Sequence, residues 1–156
     1  MHQVSQALDN EHRSALELLG RIERVFAHTP RAAELAPLAG AFIRLIEQDI
    51  SRHFDFEERE LFPRMAEAGE GDIAALLREE HDAIRAVAAE LLPLARAAVA
   101  SALDSDSIAA FKRGALEMVE RQVAHIQKET MVLLPLLDDL LDDQTDRELA
   151  FAYASS

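Results

Sequence analysis

Cysteine is absent from the chain, so disulfides, thiolate zinc sites, iron–sulfur clusters and cysteine nucleophiles are all excluded. Any metal must be held by nitrogen and oxygen donors. Glycine is scarce, with five among 156 residues, and phenylalanine contributes only seven, while nearly half the residues are hydrophobic and mostly Ala and Leu. That composition favours helix. No run approaches the roughly 20 apolar residues of a membrane span, and the opening "MHQVSQALDNEHR" lacks a basic region followed by an apolar stretch. The expected location is therefore cytoplasmic, with no membrane partner. Positive charge is in deficit too. With 16 Lys and Arg against 29 Asp and Glu, the formal charge of −13 repels nucleic acid and attracts cations. Finally, no E-x-x-H occurs, which removes the ligand pattern of ferritin-like carboxylate bundles.

The length suits one domain over residues 1–156, with a core that needs no staples. Turn signals at 27–37, 68–72 and 101–107 combine Pro, Gly, Ser and Asp and divide the chain into helices at about 3–27, 36–67, 72–100 and 107–142. Asp72 and the cluster from Asp104 to Ser107 are expected to cap the third and fourth helices. Thr145 and Glu148 form a capping-box pattern that predicts a short fifth helix across one end. Short connections between long helices imply antiparallel neighbours, hence an all-α, up-down-up-down four-helix bundle.

Each long helix carries an apolar stripe at three-and-four spacing, and each stripe is broken by a histidine. The stripes read Val4, Leu8, His12, Ala15, Leu19, Ile22, Phe26 in the first helix and Leu38, Phe42, Ile46, Ile50, His53, Glu57, Leu61 in the second. They continue as Ile73, Leu77, His81, Ile84, Ala88, Leu91, Ala95 and as Met118, Gln122, His125, Glu129, Val132, Leu136, Leu140. The halves also repeat. "EHRSALELL" at 11–19 resembles "EHDAIRAVA" at 80–88, and "HFDFEERELFP" at 53–63 resembles "HIQKETMVLLP" at 125–135. Counting 1.5 Å per residue from the loops brings the histidines to about one height across the first and third connections, and less closely across 68–72, where Pro63 is a candidate to end or bend the second helix early.

On a helix, residues i and i+4 share a face, so His53 with Glu57, and His125 with Glu129, reach one small volume. Burying four imidazoles and two carboxylates costs free energy unless they are paired or bind metal. A lone histidine on an apolar stripe is ordinarily a satisfied core residue, but four stripes, one height and one repeat favour a site. Two ions fit the donor count, with Glu57 and Glu129 bridging and the pairs His12/His53 and His81/His125 divided between them. Each ion would then keep two open positions, which suits iron, manganese less well, and zinc least. Glu58 and Glu80 are candidates to orient ligand histidines, whereas Glu11 and Glu60 are expected to be solvated. His2 and His28 are expected at the surface. Pro63 and Pro135, each six residues after the glutamate, are expected to kink their helices or free carbonyls.

This order of motifs, over residues 4–142, resembles the hemerythrin-like or HHE cation-binding family. The resemblance implies a four-helix bundle with a non-haem di-iron centre, bridged by two carboxylates and an oxo or hydroxo group, with His12, His53, Glu57, His81, His125 and Glu129 as ligands. Oxygen-carrying members have H-x-x-x-H on the third helix, where Leu77 and Arg85 flank His81 here, and H-x-x-x-x-D on the fourth, where His125 precedes Glu129. With four histidines rather than five, the chain is more similar to members linked to sensing of iron or oxygen, nitric oxide or peroxide handling, and iron storage or repair. The expected ligand is a small diatomic molecule or peroxide. Two other readings remain at this stage: a di-iron peroxidase- or catalase-like enzyme, and a metal-free interaction bundle, for instance a homodimer. The sequence names no protein partner.

Overall fold

The computed structural model describes residues 1–156, apart from the side chain of Ala32. Five helices span Gln3–Phe26, 32–67, Gly71–Val99, 105–140 and Asp143–Ala154, and no strand occurs among the described residues. Consecutive long helices pack together, and the first also packs on the fourth, so the four close into a ring. The connections between them are short, as an antiparallel bundle requires. At Gly114 a Cβ would come within 2.7 Å of Leu91 Cδ2, so the missing side chain lets the fourth helix lie close on the third.

The helix ends show what set them. The second helix begins at Ala32 rather than near 36, because Arg31 N–H donates to Glu34 at 3.2 Å, and Pro37 is absorbed into the helix. The third begins at Gly71, so Asp72 sits in the first turn instead of at the cap, where its charge still favours the helix dipole. Asp104 caps the fourth helix as expected, accepting from Ser107 N–H at 2.7 Å. In the fifth, Asp142 performs that role toward Thr145 N–H at 2.7 Å, in place of the Thr145/Glu148 pattern.

Pro63 and Pro135 do not end their helices. Each follows a π turn, at Glu57–Leu61 and Glu129–Leu133, closed by Phe62 N–H to Glu57 O and by Leu134 N–H to Glu129 O. A wider turn takes in one more residue than an α turn and relieves the crowding that proline imposes on the preceding carbonyls. The extra residue shifts the stripe beyond it. In the fourth helix Leu133, Leu134 and Leu137 are buried, whereas the expected Val132 and Leu140 are 38% and 37% exposed and Leu136 is only partly buried.

Two apolar clusters fill the bundle. One gathers Leu19, Ile22, Phe42, Leu91, Phe111 and Met118, the other Leu8, Leu61, Met65, Leu77, Leu137 and Tyr153. The six expected ligands lie where one cluster gives way to the other along each long helix: His12, His81 and Glu129 fall between the two in sequence, and His53, Glu57 and His125 at their margins. The fifth helix folds back on the start of the first, where Asp146 accepts from Gln3 N–H and Val4 N–H, each at 2.9 Å. His2, expected at the surface, is half-buried there, with Nε2 2.8 Å from Leu141 O and Nδ1 3.4 Å from Asp146. His28 is exposed, as expected.

Candidate metal centre

Register within each helix decides what enters the middle layer. His53/Glu57 and His125/Glu129 are i,i+4 pairs, and the π turn that begins at each glutamate lies just beyond the pair. His12 and His81 come from the first and third helices. All six residues are buried, none more than 6% exposed. Within the pairs, Nε2 lies 3.1 Å from Glu57 Oε1 for His53 and 2.9 Å from Glu129 Oε1 for His125. Across the bundle, His12 Nε2 is 3.4 Å from Glu129 Oε1, His81 Nε2 is 3.6 Å from Glu57 Oε1, and the Nε2 atoms of His81 and His125 are 3.1 Å apart.

The donor atoms form two groups, Glu57, His81, His125 and Glu129, and His12, His53 and Glu129, with the atoms of each within 4.8 Å of one another. His12 Nε2, His53 Nε2, both Glu57 oxygens and Glu129 Oε2 are buried and make no hydrogen bond; His53 Nε2 and Glu57 Oε1, 3.1 Å apart, meet as an ion pair only. Unpartnered polar atoms are rare in a folded interior, and a cation is the partner that imidazole and carboxylate share. The residues present therefore fit a metal, and the cluster is compatible with metal binding.

Every ring turns its Nε2 inward and its Nδ1 to a fixed acceptor. His53 Nδ1–H donates to Glu11 at 3.0 Å, His81 to Glu58 at 2.7 Å and His125 to Glu80 at 2.8 Å, and His12 Nδ1 lies 3.3 Å from the Thr130 hydroxyl. The carboxylates are themselves held by cations: Glu11 by Arg52, Glu58 by Arg85 at 2.7 Å, and Glu80 by Lys128. Fixing tautomer and ring orientation in this way is what metal-binding histidines need. Glu58 and Glu80 take the orienting position considered from sequence, and Glu11, expected to be solvated, joins them. Thr130 and Tyr153 were missed. Tyr153, in the fifth helix, donates to Glu11 and lies 3.3 Å from His53 Nδ1. Glu11 was findable, since it precedes His12 as Glu80 precedes His81; Tyr153 lies outside the repeat.

The charges are strongly coupled. Burial and the charge of Glu129 push the Glu57 carboxyl well above its usual range. For Glu129 burial also raises, but Glu57, His125 and His12 outweigh it and hold the carboxyl well below. Burial lowers His125, yet Glu129, Glu57 and Glu80 bring it up to about 9, while burial and the neighbouring His125 lower His81 to about 4. A cation entering this layer would displace protons from Glu57 and His125.

A cavity of about 20 Å³ adjoins the layer, lined by His12, Ala15, His53, Phe54, Gln122 and Glu129 among others. That is room for about one water-sized occupant. Ala15 stands where its counterpart in the repeat is the larger Ile84. Gln122 is 5% exposed, and its Oε1 has no partner.

No curated protein matches the chain. The family model described as "Hemerythrin HHE cation binding domain" matches residues 3–137, a segment that contains all four histidines and both glutamates of the layer. With that match over most of its length, the chain belongs to the hemerythrin HHE cation-binding family.

Proposed function

We propose that this chain is a non-haem di-iron protein whose metal pair binds or reacts with a small molecule, namely dioxygen, nitric oxide or hydrogen peroxide. The observation that carries the reading is the set of buried imidazole nitrogens and carboxylate oxygens that face one volume, five of their atoms without a hydrogen bond. His12, His53 and Glu129 would hold one ion, and His81, His125 and Glu57 the other, with Glu129 shared. Mixed imidazole and carboxylate donors suit iron better than manganese or zinc. When bound, the pair supplies redox chemistry and positions for an added ligand. The protein's part is to aim each Nε2 through its Nδ1 partner, to exclude bulk water with the apolar side chains of both clusters, and to admit only a small molecule beside Gln122.

Elemental analysis of protein purified aerobically without an affinity tag tests this, with about two iron per chain expected. His81→Ala and Glu129→Ala should lose iron. A chain that takes up no metal even after anaerobic addition of ferrous iron, and whose melting temperature ignores chelator, would instead be a metal-free bundle.

A further inference from the structure

Tyrosine occurs once in the chain, and tryptophan and cysteine do not occur. The one readily oxidised aromatic side chain lies in the fifth helix, beyond the residues matched by the family. It is nonetheless buried, at 3% exposure. Its hydroxyl donates to Glu11, the same carboxylate oxygen that accepts from His53 Nδ1 at 3.0 Å. A single imidazole ring thus separates the phenol from the Nε2 that faces the metal layer. Arg52 holds the arrangement: its guanidinium lies 4.4 Å over the Tyr153 ring, pairs with Glu11, and donates to the Tyr153 carbonyl at 2.9 Å.

A buried tyrosine hydroxyl needs some hydrogen-bond partner, and a backbone carbonyl would serve. Here the partner is a carboxylate, which can also accept the proton. That matters because a phenol loses an electron readily only when its proton leaves with it, to a base already within hydrogen-bond reach.

We propose that Tyr153 is a redox-active residue that gives one electron through His53 to the metal pair and its proton to Glu11, becoming a neutral tyrosyl radical when hydrogen peroxide is the oxidant. The inference rests on the di-iron reading above. Hydrogen peroxide takes two electrons and two protons and leaves as two water molecules. One electron comes from a ferrous ion, which becomes ferric, and the other from Tyr153. The two protons come from solvent, and the phenolic proton, released as the O–H bond breaks, forms a new O–H bond on Glu11. The residue would let the centre complete a two-electron reduction when only one ferrous electron is at hand.

The test is freeze-quenched electron paramagnetic resonance of the iron-loaded protein mixed with hydrogen peroxide, with iron content and peroxide consumption measured on the same samples. An organic radical is expected in the wild type, its hyperfine pattern collapsing when the protein is grown on ring-deuterated tyrosine. It should be lost in Tyr153→Phe, compared per bound iron. With a single tyrosine there is no background from other phenols. Iron-loaded wild type that consumes peroxide without a tyrosyl signal would overturn the proposal, as would a signal that survives in Tyr153→Phe. Bound iron without peroxide consumption would overturn it while leaving the di-iron reading intact, and absence of iron would overturn both.

Discussion

Behind the four imidazoles stand three carboxylates and one hydroxyl, and the odd one is placed by the repeat. Glu58 behind His81 and Thr130 behind His12 follow Glu57 and Glu129 at equivalent positions, yet one acceptor is charged and the other neutral. A carboxylate makes the ring a stronger donor to metal than a hydroxyl does. Glu58→Gln and Glu80→Gln should each weaken ferrous binding about 10–100-fold, and Thr130→Val by clearly less, in competition with a chelator. Equal losses in all three would sink the distinction. At this scale the sequence was informative where chemistry repeats along one helix: both H-x-x-x-E pairs, and the "EH" that begins each half, stand in the layer. It was silent on Thr130, which takes the place of Glu58 in the repeat but carries no charge to mark it, and on Tyr153, which lies outside the repeat.

The helices themselves were legible to within a few residues, since stripes, caps and turn residues are local. Their wide turns were not. The buried set in the fourth helix follows Leu133 and Leu137 rather than Val132 and Leu140, because a π turn changes the period in mid-helix and an assumed constant period misses it. The site lies at the start of that same turn, so the geometry that disturbs the stripe also sets the course of the chain beyond each carboxylate. The first helix depends on a distant element as well: its own N-cap, His2, makes no side-chain capping bond, and Asp146 of the fifth helix supplies the acceptor. Asp146→Ala should leave two N–H groups without that acceptor and cost about 2 kcal/mol. For a chain of this size that is a fall of about 4–8 °C in melting temperature. Asp146→Asn, which keeps an acceptor, should lose less. An Ala variant that melts with the wild type would show that the fifth helix contributes little to holding the first.

Across the whole molecule, no helix is long and apolar enough to cross a membrane, in line with the lack of a long apolar run in the sequence. What the sequence did not convey is how the polar residues partition the interior. They form a slab between the two apolar clusters, and all four long helices pass through it. A core cut in this way is two short bundles in series, joined by a layer that contributes little hydrophobic stabilisation and carries unpartnered atoms. Without metal, heat should open the halves at different temperatures, giving a broad calorimetric transition whose enthalpy exceeds the van't Hoff value. With metal bound, the slab becomes a clamp, and the two values should converge in one sharp peak at higher temperature. Cooperativity of melting would then report occupancy of the layer from the behaviour of the entire chain.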